Sequence, residues 1–164
     1  MSKTALKGTP VSLNGNTPQV GSQFPNLRLI KSDLSVLETK DLKGKKIVFN
    51  YMPSIDTSVC ALQLNQFTNR LKNNSEVINL FASKDLPFAL SRFCGAEGIE
   101  NAVTTSDFRF NDLEKIGVMM TDGPLAGLAA RGTIVIDENQ TVVYAELTND
   151  IVDEPNYDEA LKFI

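Results

Sequence analysis

The residues best suited to chemistry in this chain are its two cysteines, Cys60 and Cys94, and no histidine accompanies them. Without imidazole, Ser-His-Asp and Cys-His nucleophilic catalysis are excluded within the chain. Zinc or haem held by histidine is excluded too. Two thiolates cannot make a four-thiolate metal site, and no cysteine–carboxylate spacing suggests a mixed one. No metal and no cofactor is therefore expected. What remains open to the cysteines is thiol chemistry, whose reactive form is the thiolate.

Cys60 sits where a thiolate gains most. The segment Pro53-Ser-Ile-Asp-Thr-Ser-Val-Cys60 leaves an apolar strand and enters a helical pattern. With Thr57 as N-cap, Cys60 falls in the first helical turn, where unpaired amides and the helix dipole favour an anion. An ordinary thiol has a pKa of about 8.5, so only a few per cent is ionised at pH 7. Bringing such a thiol to about 6 takes roughly 3.4 kcal/mol. A helix N-terminus gives about 0.3–1 kcal/mol, and about 2 at most. A hydroxyl or an arginine must supply the rest. Thr57 is near in sequence. Arg131 heads an apolar strand and offers a fixed fork of donors, although residue type alone does not select it over Arg92 or Arg109. Plainer readings stand beside these. Cys60 shares an apolar stripe with Leu64, Phe67 and Leu71, as a buried core cysteine would. Cys94, next to Phe93, suits a core or surface thiol. Pro53 suits a strand end.

The elements that position these residues follow from pattern. Residues 10–40 read as turns and short strands, including Leu27–Ile30 and Ser35–Glu38. Ile47–Tyr51 is a buried strand, Ser58–Leu71 a helix and Val77–Ser83 a strand. Pro87–Phe93 reads as a short helix that starts at a proline and stops at Gly95, so Cys94 ends it. Asn101–Thr105 is a short strand and Asp112–Gly117 a short helix. Thr133–Ile136 and Thr141–Leu147 flank the turn Asp137–Gln140 as a hairpin, and Tyr157–Ile164 closes the chain as a helix. This order implies an α/β fold, a mixed sheet with helices on both faces.

The 164 residues fit one domain, residues 1–164, large enough to bury a core without a staple. Net charge is −4, and no basic patch invites nucleic acid or an anionic membrane. No apolar run is long enough to span a bilayer, and the first residues lack a secretory h-region. The expectation is a cytoplasmic protein, where a disulfide is more often transient than structural; a mature periplasmic form would read the same.

These residues carry a family resemblance. Pro53-x-x-x-Thr57-x-x-Cys60 resembles the active-site motif of the peroxiredoxins. Asp85-Leu-Pro-Phe-Ala-Leu-Ser-Arg-Phe-Cys94-Gly, and Asp122-Gly-Pro-Leu-Ala-Gly-Leu-Ala-Ala-Arg131, are similar to segments of an atypical two-cysteine branch, the bacterial thiol peroxidases. The resemblance is strongest over residues 44–61, 83–98 and 120–140. It implies a thioredoxin-like fold with an N-terminal β-hairpin extension. It also implies a peroxidase acting on hydrogen peroxide and organic hydroperoxides. Cys60 would be peroxidatic and Cys94 resolving, joined as a disulfide within one subunit. Pro53 would shield the substrate site, Thr57 and Arg131 would complete it, thioredoxin would be the reductant, and the protein would be a homodimer.

Two other classes fit a pair of cysteines. A dithiol carrier usually has Cys-x-x-Cys, but position 63 is Gln. A non-enzymatic redox sensor or binding module would use the same disulfide as a switch. If the reduced chain holds the two cysteines beyond disulfide range, the turns around 56–62 and 91–98 must unwind for it to close.

Overall fold

The computed structural model describes residues 2–99 and 101–164. β1 (Thr4–Leu6) and β2 (Thr9–Val11) form a separate antiparallel hairpin. The other strands are β3 (Arg28–Lys31), β4 (Val36–Glu38), β5 (Lys46–Tyr51), β6 (Val77–Ser83), β7 (Val103–Ser106), β8 (Gly132–Ile136) and β9 (Val142–Leu147). They make one seven-stranded sheet in the order β4-β3-β7-β6-β5-β8-β9. β5, β6 and β7 are parallel, and the remaining pairings are antiparallel.

Strand parity decides what each face holds. Ile47, Phe49 and Tyr51 of β5 pack with Leu80, Ala82, Ile134 and Ile136 into one core. Val48 of the same strand joins Phe81 and Val135 in a second core, on the other face. That second core is covered by α1 (Ser58–Leu71), α2 (Pro87–Glu97) and α3 (Tyr157–Leu161). Right-handed crossovers from β5 to β6 and from β6 to β7 put α1 and α2 on one side. α3 joins them through an edge-on contact of Phe67 with Tyr157, at 5.0 Å. The opposite face is roofed by Leu113 and Ile116 of a 3₁₀ helix (Asp112–Ile116), the 118–130 segment and β2. Helical elements do lie on both faces, but the α-helices share one.

The boundaries of α1 fall where its apolar spacing puts them. Those of α2 do not: it runs through Gly95 to Glu97, so Cys94 lies within its last turn rather than at its end. The left-handed residue that stops it is Gly98, at φ 66°, with the Gly98 and Ile99 amides donating to the Cys94 carbonyl. Two nearby glycines offer the same stop, and packing on β7 selects the later. β7 starts at Val103 rather than Asn101, and α3 ends at Leu161, before the chain does. Among the described residues no helix is long and apolar enough to cross a membrane.

Candidate active site

The turn between β5 and α1 is held by Asp85, from the turn after β6. Its carboxylate accepts from Ser54 Oγ at 2.6 Å, the Ile55 amide at 2.7 Å and Ser83 Oγ at 2.7 Å. Pro53 is buried at the start of this turn. Thr57 has the extended backbone of an N-cap, φ −91° and ψ 148°, but its side chain makes no capping bond. Its exposed hydroxyl donates to Ser54 O at 3.0 Å. The expected hydroxyl contribution to the sulfur is therefore not made in this conformation: a neighbouring carbonyl takes the hydrogen first.

Cys60, the third residue of α1, is fully buried. Arg131 Nη1 donates to its Sγ at 3.1 Å. Arg131 immediately precedes β8, on the face that carries α1, and is only 2% exposed. The same Nη1 reaches Gln63 Oε1 at 3.2 Å, and Nε donates to Ile151 O at 2.7 Å. Gln63 Nε2 in turn donates to Asn50 Oδ1 at 2.9 Å and Gly132 O at 3.2 Å, and Thr133 Oγ1 donates to Asn50 Oδ1 at 2.9 Å. Gln63 must present its oxygen to the guanidinium, which fixes its amide orientation.

Among the described residues no carboxylate lies within ion-pair distance of Arg131. A buried cation without a counter-anion is costly. The sulfur 3.1 Å away is the group placed to become that anion. Arg92 and Arg109 are not: Arg92 pairs with Asp56 at 3.4 Å on the surface, and Arg109 lies over Phe108. Cys60 is thus both a fully buried cysteine and the sulfur in contact with Arg131.

Arg131 opens into a largely apolar cleft of about 600 Å³, walled by Leu6, Pro53, Thr57, Val59 and Leu125. A small neutral molecule entering there meets a guanidinium that is in contact with Cys60 Sγ.

Cys94 lies elsewhere. It is half-buried in α2, with Sγ 3.8 Å from Thr104 Oγ1 on β7. It borders a different cleft, of about 510 Å³, with Lys31, Ser91 and Gly98. Burial pushes its thiol up from the ordinary value, with the Thr104 hydroxyl opposing. Both cysteines are free. Cys60 contacts Arg131, which heads β8, whereas Cys94 contacts Thr104 of β7. A disulfide needs Cα atoms about 4.4–6.8 Å apart.

Of the sequence-derived residues, the fold gathers Arg131, Pro53 and Thr57 at one cleft, buries Cys60 against Arg131, and places Cys94 at another cleft. Gln63, Asn50 and Asp85 were not singled out for the site. A signal existed for two of them: Gln63 is a glutamine on an apolar helical stripe, and Asn50 an asparagine in an apolar strand. Both are fully buried.

Comparison with known proteins adds the chemistry of relatives. The Redoxin family model matches residues 19–161. A thiol peroxidase of Corynebacterium glutamicum is 43% identical over 161 residues, 98% of each chain. A peroxiredoxin-like protein from Aquifex aeolicus superposes with a TM-score of 0.95 at 36% identity, over 99% of this chain and 95% of that one. A thiol peroxidase from Chromobacterium violaceum shares the fold, with a TM-score of 0.89 at 21% identity over 98% of this chain and 94% of that one.

Proposed function

From the premise that the chain belongs to the Redoxin family and is a thiol-dependent peroxidase, we propose that Cys60 is the attacking sulfur and Cys94 the one that resolves it. The observation that carries this is the contact of Arg131 Nη1 with Cys60 Sγ at 3.1 Å, with no carboxylate among the described residues pairing with the guanidinium. Cys94, raised by burial, is the neutral thiol of the pair.

The Cys60 thiolate attacks one peroxide oxygen in line. The O–O bond breaks, and alkoxide or hydroxide leaves with the electron pair and takes up a proton. Cys60 becomes a sulfenic acid. Arg131 stabilises charge growing on the departing oxygen. The Cys94 sulfur then attacks the sulfenic sulfur, and the sulfenic oxygen leaves as water, giving the disulfide. A dithiol reductant of the thioredoxin type restores both thiols by exchange. The substrates are hydrogen peroxide and organic hydroperoxides, the latter suited to the apolar walls of the Arg131 cleft. The reading also takes the chain as one domain, both cores being built on one sheet, acting as a homodimer in the cytoplasm. Pro53 shields the thiolate from water. Thr57 completes the substrate pocket once its hydroxyl turns from Ser54 O.

The test is peroxide consumption coupled to thioredoxin and its reductase, with intact-mass analysis. One equivalent of peroxide should remove two hydrogens and link Cys60 to Cys94. Cys60→Ser should abolish turnover, whereas Cys94→Ser should oxidise once and stall. Equal steady-state rates in wild type and Cys60→Ser would overturn the assignment. Catalytic turnover in the coupled assay separates the enzyme from a sensor, which oxidises once.

A further inference from the structure

The β1–β2 hairpin lies at the far end of the chain from the loop after β9, yet the two are bound together at the active site. Its turn residues, Lys7 and Gly8, both have positive φ, 49° and 86°. This conformation aims both amides outward, and one carboxylate receives them. Asp150 Oδ1 accepts the Lys7 amide at 3.0 Å, and Oδ2 accepts the Gly8 amide at 2.8 Å. Oδ1 also accepts the Val152 amide at 3.1 Å. The Gly8 amide, with those of Val152 and Lys7, holds the Asp150 carboxyl below its ordinary range. Two further bonds close the seam: Thr4 Oγ1 donates to Thr148 O at 2.9 Å, and the Ile151 amide donates to Ala5 O at 2.8 Å.

The residue caught in this seam is Ile151, whose carbonyl accepts Arg131 Nε at 2.7 Å. That bond sets the rotation of the guanidinium about its side-chain axis. With Nε fixed, Nη1 falls between Cys60 Sγ and Gln63 Oε1. The backbone around Arg131 is tied to the same loop, the Thr148 amide donating to Arg131 O at 3.0 Å. Leu6 and Lys7 of the hairpin also wall the cleft into which Arg131 opens.

We propose that Asp150 is a positioning residue for the peroxidase reaction: by clamping the hairpin turn it fixes the Ile151 carbonyl, and through it the guanidinium of Arg131 on Cys60. The N-terminal hairpin is then a working part of the peroxide site. The proposal rests on the assignment of Cys60 and Arg131 above. Its range is short, because the clamp and the carbonyl that holds Nε belong to consecutive residues, Asp150 and Ile151. A shift of about 1 Å in a group that orients the reacting atoms can cost on the order of a hundredfold in rate.

The experiment compares the full-length wild type with Asp150→Ala and Asp150→Asn. Hydrogen exchange at residues 4–11 reports whether the hairpin is released. Alkylation of Cys60 by iodoacetamide across pH 5–10 reports the environment of the sulfur without any peroxide. Peroxide oxidation is then followed by stopped flow. In Asp150→Ala, exchange at 4–11 should accelerate, the alkylation profile should move to higher pH, and oxidation should slow roughly ten- to a hundredfold. Asp150→Asn keeps one acceptor oxygen but turns an NH₂ toward a backbone amide, so it should fall between the two. It also carries the test if the alanine variant does not fold. A released hairpin with an unchanged alkylation profile overturns the proposal. So does a hairpin that stays protected in the variants. A wild-type Cys60 inert to iodoacetamide at neutral pH would instead overturn the assignment on which the proposal rests.

Discussion

Replacing Arg131 by methionine removes the only cation in contact with Cys60 among the described residues while keeping most of the buried volume. Nη1 is 3.1 Å from the sulfur, which puts the centres of charge near contact distance. Unit charges about 4 Å apart at an effective dielectric near 20 interact by about 4 kcal/mol. At about 1.36 kcal/mol per decade, that is roughly three decades in the balance between thiol and thiolate. Burial of the anion opposes part of it, so alkylation of Cys60 at pH 7 should slow by about 30-fold or more. Oxidation by peroxide should lose more than alkylation. Arg131 also faces the cleft, and loss of a donor to a developing oxyanion costs about 10²–10³-fold. The two losses separate by pH. Near pH 10 the ionisation deficit should largely disappear, because thiolate then forms without help; the deficit toward peroxide should persist. Arg131→Lys should lie between, since one ammonium cannot hold Ile151 O, Gln63 Oε1 and the sulfur together. The fold should survive, because replacing a buried charge by an apolar chain is often tolerated; circular dichroism checks this. An Arg131→Met protein alkylated at the wild-type rate at pH 7 would refute the electrostatic argument. Equal losses toward iodoacetamide and peroxide would refute the role on the departing oxygen.

Gln63→Glu should offer Arg131 a carboxylate in place of an amide oxygen now 3.2 Å away; competition for the guanidinium should slow Cys60 alkylation at pH 7 about tenfold or more, read by mass spectrometry. Asp85→Ala should free the turn at Ser54 and Ile55. Peroxide attack should slow, disulfide closure should quicken, and over-oxidised Cys60 should become scarcer at high peroxide, an outcome a general loss of stability would not give. Gly132→Ala should be strongly destabilising, by about 3 kcal/mol or more in a denaturant melt, because its Cβ would lie 2.1 Å from Glu146 O and 2.2 Å from the Tyr51 hydroxyl. Asp112 is held down to about 2, chiefly by its bond with Arg28. A depressed carboxyl stabilises the fold above its unfolded pKa, so this contribution should be full above about pH 4 and lost on descent through about pH 2. It should amount to about 1–2 kcal/mol, as Arg28 is partly solvated, and should vanish from the pH–stability difference in Asp112→Asn.

Local pattern was enough to find the helix that carries Cys60 and the strands around it, whereas the role proposed for Cys60 came through resemblance. A proline-terminated apolar strand, an N-capping threonine and a 3.6-residue apolar period are written within residues 47–71, and α1 spans the Ser58–Leu71 that they mark out. Strand parity likewise announces which side chains of β5 go inward. The motifs also suggested Arg131, but only through resemblance, because nothing in the spacing of residues 60 and 131 requires them to meet. What the tertiary structure decided is each contact made between distant segments. Pairing of β5 with β8 delivers Arg131 to the sulfur, and the crossover through α1 delivers Gln63 beneath it. Packing of α2 on β7 sets Cys94 against Thr104, at a different cleft from Arg131. The folded chain also ends α2 at Gly98 rather than Gly95. The physical reason is common to all of these. Helix starts and periodicities are short-range free energies summed along the chain, whereas a buried arginine finds its anion only after the sheet has fixed which segments are neighbours.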